Sequence, residues 1–172
     1  MSAPSTEATA VGDPPTTSEA QAEAWVAEFI EGWRARTGPD GFADHFERVS
    51  DPEIRLIQPQ MPTVVGHRAF REQLVRPLFD AIPDIHATVH DWAARGDRLF
   101  IAFTLEGTLG GKPVAWDCVD RITLRDGVAV ERRAYFDPTP LLRAVATRPR
   151  AWPSFLRLQA RQLFQTRTKG SA

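Results

Sequence analysis

The sequence predicts an α+β domain in which N-terminal helices pack on a mainly antiparallel sheet. Apolar residues recur at helical spacing in most of the chain before Pro83, and they alternate with a period of two from Ile85 onward. Gly110-Gly111 and Asp126-Gly127 separate the alternating runs, and such dipeptides form the tight turns of β-hairpins. Because the helices come first and the paired strands follow, the class is α+β.

Two helices are predicted before the first strand. The first begins at Ser18, where Ser18 and Gln21 fit a capping box, and it ends at Thr37-Gly38-Pro39. Its apolar stripe consists of Trp25, Val26, Phe29, Ile30 and Trp33. The second helix runs from Asp40 to Arg48 and carries Phe42 and Phe46 on one face.

A third helix is predicted after a loop that is marked by Pro59, Pro62 and Gly66. Its aligned apolar residues are Phe70, Leu74 and Leu78. Pro77 lies within this pattern and is expected to bend or end the helix, because proline removes a backbone donor and its ring clashes with the preceding turn.

The sheet is predicted to contain one strand before the third helix and a four-stranded meander after it. The first strand starts at Asp51-Pro52 and places Ile54, Leu56 and Gln58 on one face. The meander consists of Ile85 to Ala94, Leu99 to Thr108, Val114 to Leu124 and Val128 to Phe136.

Three regions are predicted along the chain: a disordered leader at 1–17, a folded domain at 18–140 and a basic helical extension at 141–172. The leader has no hydrophobic residue larger than Val11 and cannot offset its ordering entropy. The extension contains two helical patterns, Leu141 to Ala146 and Trp152 to Phe164.

The composition allows an ordinary core and excludes several classes of site. The chain has 172 residues, of which 42% are hydrophobic and 25% are charged, so no disulfide or structural metal is required for folding. A single cysteine, Cys118, excludes an internal disulfide and a cysteine-based zinc site. No apolar run approaches the length of a membrane span, and Met1 to Pro15 lacks the features of a secretory signal, so a cytoplasmic location is expected.

The net charge of −1 is the sum of three unlike parts: −4 over 1–23, −4 over 24–140 and +7 over 141–172. Because the basic part is a tail, the sequence argues against a nucleic-acid partner for the body of the protein. We interpret the tail as a helix that covers a pocket mouth or packs on a partner subunit. Peripheral contact with an anionic membrane surface is the alternative.

The order of elements resembles the cone-like fold of the nuclear transport factor 2 superfamily. It is most similar to the SnoaL-like branch, which includes polyketide cyclases, ketosteroid isomerases and limonene epoxide hydrolases. The resemblance covers about residues 20–140. The residues that carry it are Phe29 and Trp33, Phe42 and Phe46, Asp51-Pro52-Glu53-Ile54, Gly66-His67-Arg68-Ala69-Phe70, Trp116-Asp117-Cys118-Val119-Asp120-Arg121 and Arg133-Ala134-Tyr135-Phe136-Asp137. It implies a curved sheet and helices around an apolar pocket, with one or two carboxylates in many members, and a homodimer.

Asp120 is the strongest candidate for a catalytic group. It shares a strand face with Trp116, Cys118 and Ile122, and this face is predicted to point inward. A buried carboxyl group is costly unless it is paired or protonated, and a raised pKa is what a general acid requires. The resemblance places Asp120 at the aspartic acid of the ketosteroid isomerase oxyanion hole. The competing interpretation is a structural carboxylate bonded to Arg132 or to backbone.

The two best-known catalytic sets of the family are incomplete in this sequence. The resemblance places the tyrosine of the isomerase oxyanion hole at Phe29 and the isomerase base near Leu56 or Gln58, and none of these side chains can serve. The Asp-Arg-Asp set of the epoxide hydrolases falls near Phe103, Leu105 and Ala134, which are all apolar.

Two histidines are candidates for a partner of Asp120. His86 and His90 point to one side of a predicted strand about 13 Å apart, too far for one metal ion, so no metal site is expected. One of them is a candidate acid–base group because imidazole titrates near neutrality, and the competing interpretation is an exposed or interface face.

From these residues we predict that the cone holds a small, mostly apolar molecule that carries oxygen. The predicted chemistry is acid–base catalysis without a cofactor, of the isomerase, dehydratase or cyclase type, and the alternative is a non-catalytic ligand-binding or dimerisation module. The candidate catalytic residues are Asp120, His86 and His90. The candidate substrate-binding residues are Gln58, Phe29, Trp33, Phe103, Trp116, Cys118, Arg132 and Phe136.

Overall fold

The computed structural model describes residues 19–148, which form helices packed on one mixed sheet of six strands. The helices are α1 (Glu19–Arg34), α2 (Gly38–Arg48), α3 (His67–Ala69), α4 (Arg76–Ala81) and α5 (Thr139–Thr147), with a π-helical segment (Phe70–Val75) between α3 and α4. The strands are β1 (Ser50–Ile57), β2 (Val64–Val65), β3 (His86–Arg95), β4 (Arg98–Leu109), β5 (Lys112–Arg125) and β6 (Val128–Phe136). The predicted α+β class is confirmed. The predicted leader, the Ser18 cap and the helix from Trp152 to Phe164 lie outside the described residues.

The predicted apolar stripe of α1 is largely buried. Trp25, Val26, Phe29 and Trp33 belong to the core, whereas Ile30 is 43% exposed. Ile30 lies about 80° around the helix from the centre of this stripe, at its edge, so burial stops before it. Gly32 lets α2 approach closely, since a Cβ there would lie 2.6 Å from the ring of Phe46.

The third predicted helix does not end at Pro77. Helical backbone continues from His67 to Ala81, and its register changes within the π-helical segment. The amide of Arg76 bonds to the carbonyl of Arg71, five residues earlier, one residue before Pro77. This wider turn places the proline, which has no amide donor, inside a helical path.

The sheet order is β2-β1-β6-β5-β4-β3. The predicted antiparallel meander is confirmed for β3 to β6. Two features were not predicted. β2 pairs antiparallel with β1, and β1 runs parallel to β6, with Leu56 beside Arg132. β2 lies in the segment that Pro59, Pro62 and Gly66 predicted to be a loop. It contains only two residues, which are too few to produce a periodic signal.

The two faces of the sheet differ in chemistry. The face toward the helices carries buried residues of β4 and β5, among them Leu99, Ile101, Leu105, Trp116 and Ile122. The opposite face, which we call the outer face, exposes Phe100, Val119 and Tyr135. Among the described residues, no helix is long and apolar enough to cross a membrane.

A clasp at the end of α5 holds this helix against the sheet. The Arg148 guanidinium donates hydrogen bonds of 3.0–3.1 Å to the carbonyls of Leu109, Lys112 and Pro113, around the hairpin between β4 and β5. Ala144 in the middle of α5 is buried. The start of the predicted extension is therefore packed on the domain.

Candidate functional site

A cavity of about 270 Å³ lies between the helices and the inner face of the sheet. This volume is near the lower end of the range for small-molecule sites, which begins at about 300 Å³. Most of the described wall is aliphatic or aromatic. Its main contributors are Trp25, Phe29, Trp33, Phe42, Phe46, Ile54, Leu56, Phe70, Leu74, Leu78, Leu105, Trp116, Phe136, Leu141 and Val145.

Few polar groups interrupt this wall. The hydrogen-bonding side chains of its described part are those of Ser50, Gln58, Gln60, Gln73 and Arg132, together with the Cys118 thiol and the indole N–H groups of Trp25, Trp33 and Trp116. Arg132 is the sole charged residue among the described lining residues. An apolar enclosure with a few polar groups is the usual form of a ligand site.

Asp120 holds Arg132 from behind the cavity wall. The Arg132 Nε donates to Asp120 Oδ2 over 2.6 Å, and Nη2 donates to Oδ1 over 3.1 Å. The Asp120 side chain is completely buried, whereas that of Arg132 is 23% exposed. Both residues point to the inner face because Asp120 lies opposite Ala134 in the ladder, two residues from Arg132 on β6. The question that the sequence left open is thus resolved in favour of pairing.

Burial and pairing act in opposite directions on this ion pair. Burial raises the pKa of Asp120, and the Arg132 guanidinium partly reverses that rise through its charge and hydrogen bonds. For Arg132, burial favours the neutral form, but the Asp120 carboxylate outweighs it, and the pKa of the guanidinium is raised. Arg132 therefore remains a cation.

Cys118 presents a thiol rather than a thiolate to the cavity. Burial, together with the negative charge of Asp120, raises the pKa of Cys118 to about 12. A thiol nucleophile requires the opposite shift. The side chain serves as a small wall residue.

The structure brings most of the predicted binding residues to one cavity. Those that line it are Phe29, Trp33, Gln58, Trp116, Cys118, Arg132 and Phe136. Phe103 is an exception, since it is 1% exposed and packs edge-to-face on Phe29 within the core, outside the described wall. Asp120 also lies outside the wall, one side chain further from the cavity than predicted.

The prediction that His86 or His90 lines the pocket beside Asp120 is wrong. His86 is paired with Glu106 and His90 contacts the Thr104 hydroxyl over 2.7 Å, on the outer face. Thr104 lies between Phe103 and Leu105, which both point inward, so strand alternation sends it outward. The two histidines and Asp120 are therefore on opposite sides of the sheet.

Many residues of the wall were not predicted as cavity residues, among them those of α5 and Ser50. Leu141, Leu142 and Val145 of α5 line the cavity, and their spacing along a helix was the available signal. The Ser50 hydroxyl also lines it, donates to the Phe46 carbonyl over 2.7 Å and lies 3.1 Å from His67 Nε2. This contact joins residues 17 positions apart and left no local signal.

Within residues 19–148, no three side chains of histidine, cysteine, aspartate or glutamate are grouped as a metal site would require.

Comparison with known proteins places the chain among cone-shaped folds. The sequence profile described as SnoaL-like domain matches residues 23–132. No curated protein matches the sequence significantly.

Three solved structures illustrate the likeness. A protein described as a SnoaL-like polyketide cyclase, from Jannaschia sp. CCS1, is 24% identical with a TM-score of 0.64, over 79% of this chain and 99% of that chain. An NTF2-like protein of unknown function from Burkholderia pseudomallei is 18% identical with a TM-score of 0.65, over 73% of this chain and 97% of that one. An LEH-like epoxide hydrolase from M. tuberculosis is 16% identical with a TM-score of 0.59, over 81% and 97%. At these identities the likeness shows the fold.

Proposed function

Because the chain belongs to the SnoaL-like branch of the NTF2-like superfamily, we propose that its cavity binds a small, mostly apolar molecule that carries an oxygen acceptor. The observation that carries this proposal is the Arg132 guanidinium, which Asp120 holds in the wall of an otherwise apolar cavity. A donor fixed in this way pays little entropy on binding an oxygen atom. The rings and aliphatic chains of the wall accept the rest of the molecule.

Gln58 supplies a second polar contact in the proposed site. It lies on the same face as Leu56, which is the ladder neighbour of Arg132. Its amide nitrogen is 2.6 Å from the Met61 sulfur, a weak acceptor. The Gln58 amide is thus held at the wall and is available to a ligand hydroxyl or carbonyl.

Catalysis without a cofactor is the second candidate function, of the isomerase, dehydratase or cyclase type. It is favoured by the same guanidinium, because a fixed cation beside a ligand carbonyl stabilises the enolate that such reactions form. In this scheme Asp120 is a positioning residue that acts through Arg132, and it does not itself contact the substrate. Polyketide cyclase and epoxide hydrolase are names borne by structural neighbours of the chain.

The binding proposal is tested with 2-acetonaphthone, a neutral ketone on an apolar ring, by equilibrium dialysis. We expect saturable binding that Leu141→Trp weakens at least tenfold, because Leu141 lines the cavity and the larger side chain fills it. Ala146→Trp is the matched control, since Ala146 is on the exposed face of the same helix. Equal loss in both variants, or no binding by the unaltered protein, contradicts the proposal.

We propose that two copies of the chain form a homodimer through their outer faces. Phe100, Val119 and Tyr135 expose 37%, 39% and 48% of their surface there. Arg121 and Arg133 lie beside this apolar group toward one end of the strands, and Asp117 lies toward the other. A two-fold axis that runs through the group and across the strands brings the end with Arg121 and Arg133, where Glu131 pairs with Arg121 over 3.0 Å, to the end with Asp117 of the partner copy. Sedimentation velocity measures the mass, and a monomer at all concentrations excludes this arrangement.

A further inference from the structure

The geometry points to an acidic ligand: we infer that the Arg132 guanidinium is an anion site, and that the cavity selects apolar molecules bearing a carboxylate or an ionised enol or phenol. This inference rests on the proposed function and adds that the ligand carries a negative charge. It depends on which donors of Arg132 are used, where its counter-ion lies and what else lines the cavity.

Two of the three guanidinium nitrogens are committed to Asp120. Nε and Nη2 each donate to one carboxylate oxygen. Nη1 has no hydrogen-bond partner within residues 19–148, and the Arg132 side chain reaches the cavity. Arginine offers donors alone, and its planar fork matches the paired oxygens of a carboxylate. The free edge of Arg132 is therefore available to an acceptor in the ligand.

The position of the Asp120 counter-ion keeps its repulsion of a bound anion small. Asp120 is fully buried behind the guanidinium, while the cavity is on the other side. An anion on the cavity side contacts Arg132 directly and is separated from the carboxylate by the width of the guanidinium. Because attraction and repulsion both fall with distance, the attraction exceeds the repulsion.

The remainder of the described wall does not oppose an anion. It contains no acidic side chain, and its other hydrogen-bonding groups are neutral: amides, a hydroxyl, a thiol and indole N–H groups. Low polarity strengthens the interaction of the cation with a bound charge. An uncharged ligand, in contrast, forms a weaker hydrogen bond with this cation than an anionic ligand does.

The experiment compares naphthalene-2-carboxylate with 2-acetonaphthone at pH 7 by equilibrium dialysis. The two probes share one ring system and differ in a carboxylate against a methyl ketone. We expect the carboxylate to bind at least tenfold more tightly. The paired variant Asp120→Asn with Arg132→Gln removes both charges together, which avoids leaving either one buried alone, and is expected to abolish the preference, so that the two probes bind within threefold of each other.

Arg133→Gln is the matched control, because Arg133 is the next residue of β6 and points to the outer face. It is expected to retain the preference for the carboxylate. If the ketone binds and the carboxylate binds no more tightly, the anion site is refuted and the apolar binding function stands. If neither probe binds, both proposals fail. Retention of the preference in the paired variant also overturns the assignment to Arg132.

Discussion

The Asp120–Arg132 pair shows at the residue scale how a buried charge is tolerated. Each side chain loses its hydration on burial, and its partner replaces that hydration with two hydrogen bonds and an opposite charge. Such a pair contributes little net stability compared with apolar residues of similar size, but removal of one partner alone is costly. Its value to this protein is therefore the fixed orientation of a cation.

A double-mutant cycle measures this dependence. Asp120→Leu or Arg132→Leu alone is expected to lower the free energy of unfolding by about 3–5 kcal/mol, because an uncompensated buried charge remains. The double variant is expected to lose less than either single one. Urea unfolding monitored by tryptophan fluorescence supplies the four values, and simple additivity of the two single effects contradicts the account.

The hydrogen bonds of Asp84 make part of the stability of the protein depend on pH. The backbone amide and the hydroxyl of Thr108 donate to its carboxylate over 2.7 Å each, and they lower its pKa. For a carboxyl with a lowered pKa, the stabilisation is fully present above the unfolded pKa, about 3.9 for aspartate, and is lost as the pH falls through the folded value. We expect the stability difference between the unaltered protein and Asp84→Asn to shrink between pH 5 and pH 2. Urea titrations across this range measure it, and parallel curves would refute the prediction.

Sequence reasoning at this scale identified which side chains face inward but not which of them touch. Strand alternation placed Asp120 and Cys118 on one inward face, where the structure has them, and it left the direction of Arg132 open. Whether Arg132 reached Asp120 depended on the stagger of β5 against β6, which alternation alone does not determine. His86 and His90 were misplaced for a different reason: neither side of their strand is strongly apolar, and a bulge between Val89 and Asp91 interrupts the alternation, so the pattern did not show which side faces inward.

The closing element of the cavity is α5, and it is attached at both ends. At its start, the Thr139 amide donates to the Asp137 carboxylate over 2.9 Å. At its end, the Arg148 clasp binds three carbonyls of the β4–β5 hairpin. Between these points, Leu141 and Val145 cover the cavity. The helix therefore acts as a cover whose position depends on a few polar contacts.

Arg148→Gln is expected to loosen α5, because the shorter amide cannot reach all three carbonyls. Hydrogen exchange at the amides of Leu142 to Thr147 should accelerate at least tenfold, while exchange in β4 and β5 stays within twofold. Arg143→Gln is the control, since its exposed side chain is on the same helix. Unchanged exchange in Arg148→Gln, or equal acceleration in the control, would show that the clasp does not hold the helix.

Helices and strands could be predicted where the sequence signal lies within a few neighbouring residues. The hairpins of β3 to β6 follow from alternation and from turn dipeptides only a few residues apart. The parallel pairing of β1 with β6 joins distant segments and has no such signal. The π-helical segment also escaped prediction, because Pro77 predicted a bend or an end of the helix, whereas the structure has a wider helical turn just before it.

At the scale of the whole molecule, the outer face is the surface on which we propose that a second copy packs. Val119→Glu is expected to give a monomer, because it places a charge in the centre of the exposed apolar group. Val65→Glu introduces the same charge at an exposed valine of β2 and should leave the mass unchanged. Sedimentation velocity distinguishes the two, and a Val119→Glu protein with the mass of the unaltered one would refute the interface.

The parallel pairing of β1 with β6 also sets an order of events during synthesis. β1 leaves the ribosome early, yet its long neighbour in the sheet, β6, is the last of the six described strands to be made. Until β6 emerges, Ile54 and Leu56 lack the neighbouring strand that helps to bury them, and Arg132 of the proposed binding site has not yet been synthesised. A nascent chain that stalls before Phe136 thus carries an unfinished sheet edge and an apolar surface, which is the kind of intermediate that chaperones recognise.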